Sequence, residues 1–358
     1  MLIYMIITRT HFRISFFGGG TDYPEWYLKH GGAVLSTSID RYAYTSCRYL
    51  PPFFENRHRL VYSRIENCQN TNDIKHPGIR ECIKYLNCNK GLEIIHQGDL
   101  PARSGMGSSS SFIVGLLLGL YALRGVYKNK YNLFKEAIHI EQNLMKENVG
   151  SQDQVAAAVG GLNIIEFEKN AEIKISPIPI NYDRRMQLNN QLQLYFTGFQ
   201  RNATDIVSSY VNDLNSKSRQ LRLLKELVNE GVDILTGNAP LSDFGRLMHE
   251  SWLIKKTIGK AVSNNKIENL YQKALEAGAT GGKLLGAGGG GFMVLSVDED
   301  KKTQVREALK DLILVPFQFD TEGAKVIYHL PQSSNEGIES QNNISALRVF
   351  EEVSSPVR

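Results

Sequence analysis

The chain has 358 residues, 42% hydrophobic and 22% charged, enough to bury a sizeable core and long enough for two domains. Its 41 basic and 37 acidic residues leave a formal net charge of +4, too balanced for nucleic acid to be the main partner, while anionic small molecules stay open. Cys47, Cys68, Cys82 and Cys88 form no CxxC pair and have no histidine at metal spacing, which argues against zinc or a disulfide framework and for reduced thiols in a cytoplasm.

The opening "MLIYMIITRT" lacks a basic leader and a small-residue cleavage site, so a first strand is expected rather than a signal peptide. Ile6 to Phe17 reads as that strand and ends in Gly18, Gly19 and Gly20, a turn that glycine makes easily. A helix is expected from Pro24 to the stop at Gly31 and Gly32. Val34 to Tyr49 reads as a strand pair, and Leu92 to Gln97 as a strand feeding "PARSGMGSSSS", residues 101–111. A helix follows from Ser108; its apolar run from Phe112 to Leu123 falls short of the roughly 20 residues of a membrane span. "YNLFKEAIHIEQNLMKEN" has the 3.6-residue period of a second helix. Ser151, with Gln154 three residues on, suggests a capping box opening "QDQVAAAVGG".

"GLNIIEFEKN" and "AEIKISPIPI" look like a hairpin, and the polar "NYDRRMQLNNQ" behind it marks an expected domain boundary. The second half alternates a strand in "LQLYFTGF", charged helices between Asn202 and Lys256, a helix from Ile267 to Ala277, and "GGKLLGAGGGGFMVLSV". A further helix and a final strand near Lys325 to Leu330 complete an α+β unit, and the polar tail after Gln332 has one short candidate helix. No internal repeat stands out.

A strand that delivers glycine and serine to the first turn of a helix makes an anion site, because the first amides there lack internal partners. A flexible linker or a plain helix cap would look similar. The loop is not a Walker A motif, since its lysine is absent. Residues Gly286 to Gly291 match G-x-G-x-x-G, but a dinucleotide fingerprint needs a helix next, and "FMVLSV" reads as a strand. A glycine-rich turn between two elements, lining a site, fits better. Asp153 falls in a first helical turn, where the dipole favours a carboxylate. Glu141 reads by default as a solvent-facing charge, and Asp22 as a turn residue. Arg13, inside an apolar strand, needs an anionic partner.

In that order and spacing, "RISFFGGGTDYP", "PARSGMGSSSS" and "KLLGAGGGGFMV" resemble the three motifs of the GHMP kinase superfamily, over nearly the whole chain to about Leu330. Together with "VGSQDQVAAAVGG", "YFTGFQRNATDIV" and "HESWLIKK", the "GGGTD" form resembles the branch of heptose and fucose kinases. Gly19 and Gly20 stand where a galactokinase would carry sugar-holding side chains, which departs from the galactose pattern.

The resemblance implies a two-domain α+β fold. A ribosomal-protein-S5-like domain would span 1–180, a ferredoxin-like domain 190–332 and a tail 333–358, with the site in the cleft. It implies ATP as donor and Mg2+ as cofactor. Arg103, Ser104, Gly105, Met106, Gly107, Ser108, Ser109 and Ser110 would hold the nucleotide, with Ser109 and Glu141 on the magnesium. Asp153 would be catalytic, with Arg13 paired to it or stabilising the transferring group. Gly18, Gly19, Gly20, Thr21, Asp22, Gly288 and Gly289 would line the sugar side.

The implied reaction is phosphorylation at C1 of a heptose 7-phosphate for surface polysaccharide, with an L-fucose or other sugar-1-kinase as rival. A substrate phosphate would need a cation; Arg201 leads, ahead of Arg41, Arg103, Lys255 and Lys256. Tyr62 and Ser63 are guesses for the adenine. The partners are a sugar phosphate and ATP, with a homodimer possible, no nucleic acid and no membrane. A catalytically silent sugar sensor and a nucleotide-dependent oxidoreductase are the readings from other classes.

Overall fold

The computed structural model describes residues 5–51, 54–199, 214 and 216–329. The first half runs β1 (Met5–Phe17), α1 (Pro24–His30), β2 (Gly32–Tyr49), β3 (His58–Val61), β4 (Ile65–Cys68), α2 (Pro77–Tyr85), β5 (Leu92–Gly98), α3 (Ser108–Leu123), α4 (Lys130–His139), α5 (Gln152–Val159), β6 (Leu162–Phe167) and β7 (Ile173–Pro177). The second runs α6 (Tyr182–Gln191), β8 (Leu192–Phe196), α7 (Ser218–Thr236), α8 (Leu241–Lys256), α9 (Asn265–Glu276), β9 (Ala279–Leu284), β10 (Phe292–Val297), α10 (Lys302–Ala308), β11 (Ile313–Val315), β12 (Phe319–Asp320) and β13 (Lys325–His329).

β1 alternates between partly exposed and buried up to Arg9, and from Thr10 every residue is buried. Both faces are then covered, by α3 on one side and by the helices of the second half on the other. The expected strand pair over 34–49 is instead the one strand β2, 18 residues long. Its register against β1 jumps from His11↔Tyr42 to Phe12↔Ile39. Asp40 and Arg41 form a bulge there, which breaks the alternation and bends the strand without turning the chain back.

The first sheet has the order β13-β1-β2-β5-β3-β4, with β6 and β12 also pairing with β2 and β7 with β6. The second is antiparallel, β11-β8-β10-β9, with α8 packed on β9. This is the expected α+β class. α8 packs on β1 of the first sheet through aromatic contacts, Phe244 lying edge-on to Phe16 and Phe17 at 5.1 and 5.0 Å between ring centres.

β12 and β13 return from the second half to the first sheet. Asp320 fastens that return, accepting from the Tyr42 hydroxyl at 2.7 Å with His11 Nε2 3.1 Å away. The polar 181–191 segment is helical, its N-terminus capped by Asn181, which accepts from the Arg184 amide at 2.8 Å. Arg184 in turn donates to the carbonyls of Ile234 and Ala239 where α7 ends. The tail beyond 329 lies outside the described residues.

Candidate active site

β5 carries the chain into the glycine-serine loop, and Gly107, at φ +76°, turns it into α3. No side chain caps α3, so its first-turn amides are free to meet an anion. Around them Ser104 and Met106 are buried, Gly105, Gly107 and Ser108 half-buried, Arg103 and Ser109 exposed. The Ser104 hydroxyl donates to the Pro101 carbonyl at 2.6 Å, and the Arg103 amide donates to Ser108 Oγ at 3.2 Å.

Glu141 is not the solvent-facing charge that helical spacing suggests. The expected helix over 131–148 gives way at Ile140 to a π-helical turn that ends at Leu144. Such an inserted residue re-aims side chains, and Glu141 is turned fully inward. Its carboxylate accepts from Ser109 Oγ at 2.9 Å, Ser110 Oγ at 2.7 Å and Gln154 Nε2 at 2.6 Å. Burial pushes its carboxyl up to about 7 against those bonds. All three donors are neutral, so a buried carboxylate lacks a cation here. A hard divalent ion suits the Glu141 and Ser109 oxygens, with phosphate and water oxygens completing its shell. Among the described residues no group of three or more His, Cys, Asp or Glu side chains that could hold a metal ion exists.

The expected capping box is absent: no side chain caps α5. Gln154 is drawn to Glu141 instead, and Ser151 Oγ accepts from Gln142 Nε2 at 3.1 Å. Asp153, in the first turn of α5, meets Arg13 in a bidentate pair: Arg13 Nε donates to Oδ1 at 2.7 Å and Nη2 to Oδ2 at 3.0 Å. Arg13 Nη1 donates to the Gly105 carbonyl at 2.7 Å, and its amide to the Met106 carbonyl at 3.2 Å. A Cβ on Gly107 would lie 3.3 Å from the Asp153 carboxylate. Asp153, Arg13 and the glycine-serine loop therefore share one spot.

Asp22 is buried, accepting from the Gly20 amide and from Gln152 Nε2, both at 2.9 Å. Burial pushes its carboxyl above the usual range, and Asp153 adds to that. The Thr21 hydroxyl donates within the same turn, to the Gly18 carbonyl at 2.8 Å. Asp22 and Thr21 thus fix the loop that presents Gly19 and Gly20. Beside Gly19 sit Ser15 Oγ and Gln152; Ser15 Oγ and Gln152 Oε1 are buried and without hydrogen-bond partners. Unpaired buried polar atoms are costly unless a ligand meets them.

The Gly286 to Gly291 turn packs against the phosphate loop. A Cβ on Gly286 would fall 2.4 Å from Gly105 Cα, and one on Gly291, at φ +99°, 2.1 Å from the Ser104 carbonyl. The turn links strands β9 and β10, so no dinucleotide-type helix follows it. A Cβ on Gly288 would fall 2.4 Å from the Val262 carbonyl, to which the Gly289 amide donates at 2.8 Å.

Of the candidate cations, Lys255 reaches the cleft, donating to the Gly286 carbonyl. Arg41 is bound to the Pro316 carbonyl and Lys256 to Glu268. Arg201 lies outside the described residues. Tyr62 and Ser63 lie at the β3–β4 turn, with the Tyr62 hydroxyl on Glu66. Sequence reasoning missed Gln152, Ser15 and Lys283, a lysine on β9 whose ammonium donates to the Phe16 carbonyl at 2.7 Å. Lys283 carries no local signal, since β9 reads as an ordinary strand with one lysine.

Fold and cleft define a small-molecule kinase. Residues 77–161 match the GHMP kinases N terminal domain and residues 238–313 the GHMP kinases C terminal domain, and the chain belongs to the GHMP kinases. It is 29% identical over 335 residues to the D-glycero-alpha-D-manno-heptose 7-phosphate kinase of Campylobacter jejuni, covering 89% of this chain and 98% of that one. It is 25% identical over 339 residues to the L-fucokinase/L-fucose-1-P guanylyltransferase of Bacteroides fragilis, covering 83% of this chain and 35% of that one. Its fold superposes on a D-glycero-D-manno-heptose 1-phosphate kinase from Bacteroides thetaiotaomicron with a TM-score of 0.74 at 23% identity, over 92% of this chain and all of the other.

Proposed function

We propose that this kinase transfers the γ-phosphoryl group of ATP to the C1 hydroxyl of D-glycero-D-manno-heptose 7-phosphate, giving the 1,7-bisphosphate for nucleotide-heptose and surface polysaccharide synthesis. The observation that carries the reading is the bidentate Arg13–Asp153 pair directly under Gly107. The likeness to a heptose 7-phosphate kinase along nearly its full length supports the sugar.

In this reading Gly105, Gly107, Ser108, Ser109 and Ser110 wrap the phosphates with amides and hydroxyls. Ser109 and Glu141 hold Mg2+, which when bound shares the charge of the phosphate oxygens. Asp153 spends one lone pair of each oxygen on Arg13 and keeps the others for the acceptor hydroxyl. It orients that hydroxyl in line with phosphorus and takes its proton as transfer proceeds. An anomeric hydroxyl is more acidic than an ordinary alcohol, so a modest base suffices. Arg13 holds Asp153 and the Gly105 carbonyl in one rigid fork. The bare Gly19 and Gly20 leave room for the sugar, with Ser15 Oγ and Gln152 Oε1 offered to its hydroxyls.

A second reading, phosphorylation of L-fucose at C1, is favoured by the fucokinase relatives. Phosphorus NMR of the product separates the two. Heptose 7-phosphate should yield a second phosphorus signal coupled to the anomeric proton; a product formed only from fucose would overturn the heptose assignment.

A further inference from the structure

Two buried lysines lie beside the Arg13–Asp153 pair. Lys255, in the last turn of α8, is 7% exposed and donates to the Gly286 carbonyl; Lys283 is 2% exposed and donates to the Phe16 carbonyl. Among the described residues neither ammonium has a carboxylate within ion-pair distance. The charges that face Lys255 are Arg13, on β1, Asp22, in the turn after it, and Asp153, on α5, while Lys283 faces it from β9. Burial, then Lys255 and Arg13, push Lys283 well below the usual lysine range, which leaves Arg13 and Lys255 as the cations against the two carboxylates. Both carboxylates are already engaged, Asp153 by Arg13 and Asp22 by Gly20 and Gln152. Burying an unpaired charge is costly, and an ammonium has three N–H donors, so the cluster is built to receive an anion.

The place of that anion follows from two glycines in contact. Arg13 hangs from the carbonyl of Gly105 in the first domain, Lys255 from the carbonyl of Gly286 in the second. Gly286 lies so close to Gly105 that neither has space for a Cβ. The two cations therefore hang from two touching turns, Arg13 on the loop beside Asp153 and Lys255 on the glycine turn packed against it. We propose that Lys255 is a catalytic residue of the phosphoryl transfer, its ammonium contacting the moving phosphoryl group opposite Arg13.

The inference rests on the kinase reading above. In the step, the acceptor oxygen forms its bond to phosphorus and the bond from phosphorus to the bridging β,γ-oxygen breaks, its electron pair leaving with ADP. The acceptor proton passes to Asp153, and Lys255 stays protonated throughout. Burial, then Arg13, bring Lys255 down to about 8. It is charged below that pH and loses the proton, and its hold on the phosphoryl group, above it.

The test compares Lys255→Met and Lys255→Arg with wild type. K255M should lower kcat about 100- to 1,000-fold while its melting temperature stays at or above that of wild type, since a buried charge has gone. K255R should recover a tenth or more of the rate and shift the high-pH fall of kcat upward. A sugar-free readout is calorimetric affinity for Mg·AMP-PNP against Mg·ADP: wild type should favour the triphosphate, and K255M should lose that preference with ADP affinity unchanged. Unchanged kcat in K255M, or equal loss of both nucleotides as expected of a mere strut, would overturn the role of Lys255. If wild type turns over no sugar yet K255M still loses the triphosphate preference, the sugar-kinase reading fails and the Lys255 contact stands.

Discussion

Arg13 and Asp153, 140 residues apart, lie in a two-point ion pair of 2.7 and 3.0 Å while the same guanidinium holds the Gly105 carbonyl. One side chain thus sets the distance between a carboxylate on α5 and the phosphate loop ahead of α3. An acceptor hydroxyl placed on Asp153 is automatically placed against the loop, which is the positioning that phosphoryl transfer needs.

Asp153→Asn keeps the shape and removes the proton acceptor. It should lower kcat by about 10²- to 10⁴-fold with nucleotide affinity little changed. Steady-state ADP release with a calorimetric ADP titration checks this, and a near-wild-type kcat would take Asp153 out of the chemistry.

In the proposed function Glu141 and Ser109 would hold the metal, whereas the Ser110 hydroxyl sits buried against Glu141. Glu141→Gln and Ser109→Ala should raise the Mg2+ concentration for half-maximal rate about tenfold or more, and Ser110→Ala should raise it less. Metal titration of the three variants decides. Equal responses would assign Ser109 to packing alone.

The contact between the glycine turn and the phosphate loop leaves no room for a methyl group. Gly291→Ala would put a Cβ 2.1 Å from the Ser104 carbonyl at φ +99°, and should destabilise the fold by roughly 2–4 kcal/mol. Gly125→Ala has a positive φ of 70° with nothing within 4 Å, so it should cost only about 1 kcal/mol. Urea unfolding of both variants measures the difference.

The clasp at Asp320 predicts a pH effect. Burial raises this carboxyl, but the Tyr42 hydroxyl, the Glu322 amide and His11 outweigh it and bring it down to about 2. A depressed carboxylate adds stability above its unfolded value near 3.8, lost as pH falls toward 2. Allowing for partial exposure, Asp320→Asn should cost about 1–2 kcal/mol at pH 7. The gap from wild type should narrow between pH 4 and pH 2; a gap constant with pH would show that the clasp is not electrostatic.

Residues whose roles are set by local backbone chemistry were legible in the sequence. The turn at Gly18 to Gly20, the loop before α3 and the strand after Gly291 follow from glycine conformations and the switch from period 2 to period 3.6. Arg13 stood out because a charge in an apolar strand requires a partner. What stayed hidden depends on distant neighbours. Glu141 is buried by a π-helical turn that no periodicity encodes. Ser151 and Gln154, spaced as a capping box, are drawn away by Gln142 and Glu141. The bulge at Asp40 and Arg41 imitates a turn between two strands and conceals the continuity of β2. Lys283 looks like any strand lysine until the two sheets close over it.

The most direct test of the central claim is ADP release with Mg-ATP across heptose 7-phosphate, unphosphorylated heptose, mannose 6-phosphate, L-fucose and galactose. The account predicts that kcat/KM for heptose 7-phosphate exceeds every other sugar by about 100-fold or more. A preference for free L-fucose, or no release with any of the five, would contradict it.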